Sequence, residues 1–129
     1  MNMKAVNPQY VTPYLKVDAM ALEGTQTFSL VGSHITPRGV CVSCTEEEIT
    51  SLHGNKNFEA QPKFPILLIS LELGFGSGET VQLETQAQIQ SIRRVSQQEF
   101  EVYMSFNSMM QDGYRHIARY IVERDGTTE

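Results

Sequence analysis

The chain has no arginine before Arg38, and only Lys4 and Lys16 carry side-chain positive charge ahead of it. Ten lysines and arginines stand against 15 aspartates and glutamates, a net charge of −5. That balance argues against a broad basic surface for duplex nucleic acid or anionic lipid, so no nucleic-acid partner is expected. Two cysteines are too few for a disulfide framework, and in a reducing compartment both are expected as thiols. No apolar run is long enough to span a bilayer as a helix, so no membrane insertion is expected. The N-terminus lacks the basic and apolar regions of a signal peptide, which makes a cytoplasmic location the expectation. Internal repeats and low-complexity tracts are lacking too.

What is present is enough for one domain. The chain has 129 residues, of which 40% are hydrophobic, a length and composition that bury a real core. We read 1–129 as a single domain, with 1–9 polar and loose. Strand-like patterns run from Tyr10 to Leu22, Thr27 to Ile35 and Gly39 to Cys44. Thr45-Glu46-Glu47-Glu48 is a capping box whose carboxylates suit a helix N-terminus, and it predicts a short helix over Glu46 to Leu52. A loop over Asn55 to Lys63 leads to a buried strand from Phe64 to Leu73, and Gly74 to Gly78 is a turn. Thr80 to Ile89 alternates strictly: Val81, Leu83, Thr85, Ala87 and Ile89 share one face, and Gln82, Glu84, Gln86, Gln88 and Gln90 the other. Ile92 breaks that order, predicting a bulge or strand end near Ser91. Phe100, Val102, Met104 and Phe106 give the next strand its core face. Ser108 to Gln111 is a second capping box, followed by Met110, Tyr114, Ile117 and Ile121 at helical spacing. The order is about six antiparallel strands, a helical insertion and a C-terminal helix, in a small barrel or sandwich.

Several residue groups invite a chemical reading. Cys41-Val42-Ser43-Cys44 with His34 and His53 would supply zinc ligands of acceptable type. Yet strand residues three apart point to opposite faces, and Glu46 to Glu48 raise a neighbouring thiol's pKa. Buried strand cysteines are the plainer reading, and no metal is expected. Gly74, Gly76 and Gly78 lack the lysine and following helix of a phosphate loop and read as a hairpin turn. Asp112 and His116 fit a solvated helix face, and no nucleophile accompanies them. Arg93 and Arg94 are candidate phosphate contacts, with surface solvation as the plainer alternative. No catalytic residues are identified.

The stretch Ser33-His34-Ile35-Thr36-Pro37-Arg38-Gly39-Val40-Cys41-Val42 carries the most information. Pro37 fixes its own φ and pushes Thr36 towards an extended geometry. Gly39 suits either a positive φ or a ligand's close approach to the backbone. With the hairpin from Phe64 to Ile92, and Phe100 to Phe106 leading into a terminal helix, this layout resembles a PilZ domain. That is a bacterial module which in many members senses cyclic di-GMP. The resemblance spans about Tyr10 to Val122. It implies a six-stranded antiparallel β-barrel with a C-terminal helix, in a mainly β fold. It also implies a ligand-binding motif at His34, Thr36, Arg38 and Gly39, where the family has Asp/Asn-x-Ser-x-x-Gly.

The departures from the family pattern are specific. Ligand-binding members carry Arg-x-x-x-Arg just before the first strand. The corresponding Asn7 to Pro13 holds no arginine, His34 replaces Asp or Asn, and Thr36 replaces Ser. Losing two charge-assisted hydrogen bonds costs roughly 3–6 kcal/mol, or about 10²–10⁴-fold in affinity. The resemblance therefore implies a non-enzymatic adaptor that contacts a protein of signalling or motility machinery, in control of motility, pili or biofilm. Cyclic di-GMP binding would be weak or lost, and no cofactor is expected. The alternative is a cyclic di-GMP receptor with a relocated arginine set; a third reading is a small enzyme.

Overall fold

A computed structural model describes residues 13–21, 26–53 and 66–126. Six strands and two helices follow in chain order: β1 (Tyr14–Ala21), β2 (Thr27–Thr36), β3 (Gly39–Cys44), α1 (Glu46–His53), β4 (Ile66–Gly74), β5 (Thr80–Arg94), β6 (Phe100–Phe106) and α2 (Gln111–Gly126). The strands close into an antiparallel barrel in the order β1-β2-β3-β6-β5-β4. Between a barrel and a sandwich, the pairing of β1 with β4 decides. It runs in unbroken register from Tyr14 opposite Gly74 to Ala21 opposite Leu67. The expected positions 1–12, 22–25 and 54–65, including the start of the first strand and the Asn55–Lys63 loop, lie outside the described residues.

Alternation along each strand fills the interior. Val17 and Ala19 of β1, Leu67 to Leu73 at every second position of β4, and Phe100, Val102 and Met104 of β6 are buried. Along β5 the expected faces hold: Thr85, Ala87 and Ile89 are buried, while Gln82, Glu84 and Gln90 are exposed. The predicted irregularity is a bulge between Ile89 and Ser91, and β5 continues past it to Arg94. The first capping box forms as read. Glu48 N donates to Thr45 Oγ1 at 3.2 Å, and Thr45 N donates to Glu48 Oε1 at 2.9 Å. It turns Ile49 and Leu52 of α1 into the core.

The C-terminal helix departs from expectation. It begins at Gln111, so Ser108 does not serve as its N-cap. Its buried stripe is Met109, Gly113, Ile117 and Tyr120, whereas Met110 is 79% exposed and Tyr114 lies on the outside. The stripe starts one residue earlier than the apolar pattern suggests, and one residue rotates a helix by about 100°. Packing sets that rotation: Met109 lies against Gly113, where an added Cβ would fall 2.5 Å from the Met109 Sδ.

Candidate binding site

The β2–β3 turn is built around one hydroxyl. Thr36 Oγ1 accepts from the backbone N–H of Arg38 at 3.2 Å and of Gly39 at 3.3 Å, and donates to Gly39 O at 3.4 Å. Phe106 N donates to the Arg38 carbonyl at 2.9 Å, tying the turn to the end of β6. Gly39 is not held in a positive φ; Gly78, at 94°, is the described glycine that is. A Cβ on Gly39 would collide with the Met104 carbonyl and the Tyr103 ring. The glycine is there because β6 passes so closely. Thr36 and Gly39 are thus engaged within the turn, while Arg38 and His34 are exposed.

A bulge between Gly32 and His34 interrupts the β2–β3 register. It breaks the inside–outside alternation, so that Ser33 and His34 are both exposed before Ile35 returns to the core. Beside the bulge lies a cleft of about 270 Å³, lined by Pro13, Tyr14, Leu15, Val31, Gly32, Ser33, His34, Tyr120 and Arg124. Helix α2 reaches it with Tyr120 and Arg124, one turn apart, the guanidinium 6.0 Å from the ring centroid. Burial pushes the Tyr120 hydroxyl's pKa above its ordinary value. On the other side, the Tyr14 hydroxyl donates to Glu72 at 2.5 Å. That bond raises the pKa of the tyrosine and lowers that of the carboxyl.

The structure separates the candidate residues into two groups. His34, Thr36, Arg38 and Gly39 lie at the end of β3 that faces Ser105 and Phe106. Arg93 and Arg94 pair opposite Glu101 and Phe100, at the far end of the same strands. Arg93 forms a 2.5 Å ion pair with Glu101, while Arg94 donates to Gln97 O at 3.0 Å and stacks over Phe100. The barrel does not bring these arginines to the turn. Cys41 is half-buried and Cys44 buried, both as free thiols. Burial, aided by Glu48, pushes Cys44 up to about 12, and burial beside Glu101 raises Cys41 as well. Among the described residues no three His, Cys, Asp or Glu side chains converge as a metal site.

Tyr120, Arg124 and Val31 join this cleft without having been singled out in the sequence as site residues. The i, i+4 spacing of Tyr120 and Arg124 places them on one helix face, but nothing local reveals that this face meets β2.

The fold defines a class: a closed six-stranded antiparallel barrel carrying a C-terminal helix. Within that class, the structure of the Bacillus subtilis inhibitor of motility (MotI/DgrA) superposes with a TM-score of 0.65 at 14% identity. The match covers 94% of this chain and 52% of that one, so the chain spans about half the length of its structural neighbour. No protein-family model and no curated protein sequence matches the chain.

Proposed function

We propose that this chain is a PilZ-like signalling module that acts as a protein-interaction adaptor in cyclic di-GMP-related control of motility, pili or biofilm. Nucleotide binding is weak or lost. The carrying observation is the use of the turn: the Thr36 hydroxyl and Gly39 hold β2, β3 and β6 together instead of facing a ligand. Arg124 is the one arginine lining the adjacent cleft among the described residues. The shared fold with an inhibitor of motility supports the regulatory, non-enzymatic part of this reading. Among the described residues no helix is long and apolar enough to cross a membrane.

Isothermal titration of the full chain with cyclic di-GMP tests it. We expect no saturation at low micromolar ligand. Clear low-micromolar binding of one or two dinucleotides per chain would overturn the adaptor reading. It would favour the alternative, a receptor with a non-standard arginine set, for which Arg124 stacked on Tyr120 beside Ser33 and His34 is the specific support. Affinity unchanged by Arg38→Ala and Thr36→Ala would then exclude the turn, and a loss on Arg124→Ala would assign the cleft.

A further inference from the structure

We propose that α2 is a two-position helix: it seats on the barrel end by either of two apolar stripes, and turning between them changes the side chains it presents to the β2 cleft. The proposal goes beyond the adaptor reading and does not depend on it.

A helix that covers a core ordinarily has one apolar stripe and a polar back. Helix α2 has a second stripe. Met109, Gly113, Ile117 and Tyr120 are turned inward. On the outside, Met110 at 79% exposure, Tyr114 at 38%, Ala118, and Val122 at 71% recur at every fourth residue. Ile121 stands half-buried beside them. Helical spacing in the sequence selects Met110, Tyr114, Ile117 and Ile121 as the inner set, and the observed set starts one residue earlier. Ile117 belongs to both. Exchanging Gly113 and Tyr120 for Tyr114 and Ile121 around it takes a turn averaging about 70°, at about 100° per residue.

The attachments of α2 permit that turn. The end of β6 is pinned, Phe106 N donating to Arg38 O and Asn107 N to Gln86 O, both at 2.9 Å. Ser108 to Met110 then form the joint to the helix. Among the described residues the α2 backbone makes no hydrogen bond to the backbone of a strand. Side chains hold the helix instead: Tyr120 on Phe75, Arg119 on Phe75 and Glu79, and Glu123 on the Gly76 N–H. These contacts, with Met109 seated against Gly113, favour the observed position. Bulk opposes the other, because Tyr114 then replaces a glycine whose Cβ would lie 3.8 Å from Leu83 Cδ2. The second position is therefore the less populated, and a partner that contacts only one of them shifts the balance. In the observed position Tyr120 and Arg124 line the cleft. In the second, the residues one place on, Ile121 and Asp125, take their places. A carboxylate replaces a guanidinium there, and Arg119 leaves Glu79.

The test is methionine oxidation in the full chain, because Met109 and Met110 trade exposure between the two positions. In the parent chain, dilute hydrogen peroxide should oxidise Met110 about tenfold faster than Met109, read by mass spectrometry of peptides. Two variants weaken the observed position. Gly113→Ala brings a methyl group against Met109, and Arg119→Ala/Glu123→Ala cuts both links to the β4–β5 turn. In each, Met109 should speed up and Met110 slow down, narrowing the ratio about fivefold or more with helix content unchanged by circular dichroism. Fluorotyrosine spectra should show Tyr114 becoming shielded as Tyr120 becomes exposed. An unchanged ratio in both variants would overturn the proposal. So would faster oxidation of both methionines together, which marks a helix lifting off instead of turning. If neither variant folds, methyl relaxation dispersion on the parent chain decides. One exchange process shared by Met109, Met110 and Ile121 is expected, and flat profiles at all three overturn the second position.

Discussion

Gly39 and Thr36 hold the β2–β3 turn for structural reasons, through a close strand approach and a shared hydroxyl. A methyl group on Gly39 must displace the backbone of β6, so Gly39→Ala is expected to cost about 1–3 kcal/mol in urea denaturation. Thr36→Val keeps the shape but leaves two N–H groups without their acceptor, at about 1–2 kcal/mol. The sequence showed a turn at this place, and the positive-φ role open to Gly39 gave way to a steric one. A pattern read along one strand contains no information about how near another strand passes. Cys44 behaves likewise: burial in the barrel governs its thiol more than its neighbours do. Its pKa in the fold, about 12, exceeds the ordinary 9.0. The folded state therefore keeps a proton that the unfolded chain releases. Stability from this group is complete below pH 9 and declines as pH rises from there towards about 12. Denaturation measured from pH 8 to 10 should show that decline, and Cys44→Val should flatten it. Ellman's reagent should correspondingly modify Cys41 before Cys44 in the native protein.

Helix α2 is held to the β4–β5 turn by a small group of contacts. Phe75 is buried within that turn and meets Tyr120 edge-on at 6.0 Å, with the Arg119 guanidinium 3.9 Å above its ring. Arg119 also pairs with Glu79 at 2.5 Å, and the Gly76 N–H donates to Glu123. Arg119→Ala removes both the ion pair and the stacking; thermal melting should fall by about 2–5 °C, with Arg119→Lys recovering only part of the loss. The hydrogen bond from Arg119 holds the Glu79 carboxyl below its ordinary value. The pair's contribution is present above that ordinary value, near pH 4.5, and is lost as pH falls through the lowered one. The gap in stability between Arg119→Ala and the parent chain should therefore narrow at acid pH to what the stacking on Phe75 contributes. By spacing alone, Arg115, Arg119 and Glu123 form a polar stripe of their own, apart from the apolar one. Two of them instead meet the hairpin turn, because the helix is rotated by the seating of Met109 and Tyr120.

At the scale of the whole molecule, barrel closure joins residues far apart in the chain into one core. Leu71 lies opposite Val17 on one side and Leu83 on the other, fully buried. Leu71→Ala is expected to cost about 2–5 kcal/mol, and unfolding followed by tyrosine fluorescence and by circular dichroism should remain coincident. Most of this architecture was legible in order and period. The alternation of β5, its bulge, the capping box of α1 and the strand sequence all arise from neighbours two to four residues apart, where steric and hydrogen-bonding preferences act locally. The site was legible only in part. The turn could be named, but the bulge exposing Ser33 with His34, the arrival of Tyr120 and Arg124, and the distance of Arg93 and Arg94 could not. The sequence by itself determined which faces seek burial and where the chain must turn, because hydrophobic periodicity and backbone sterics are properties of short segments. Only the tertiary structure decided which end of the barrel each arginine occupies, and which stripe of α2 turns inward. Those outcomes depend on closing the sheet and seating α2, and closure brings together side chains whose separation along the chain carries no record of the contact.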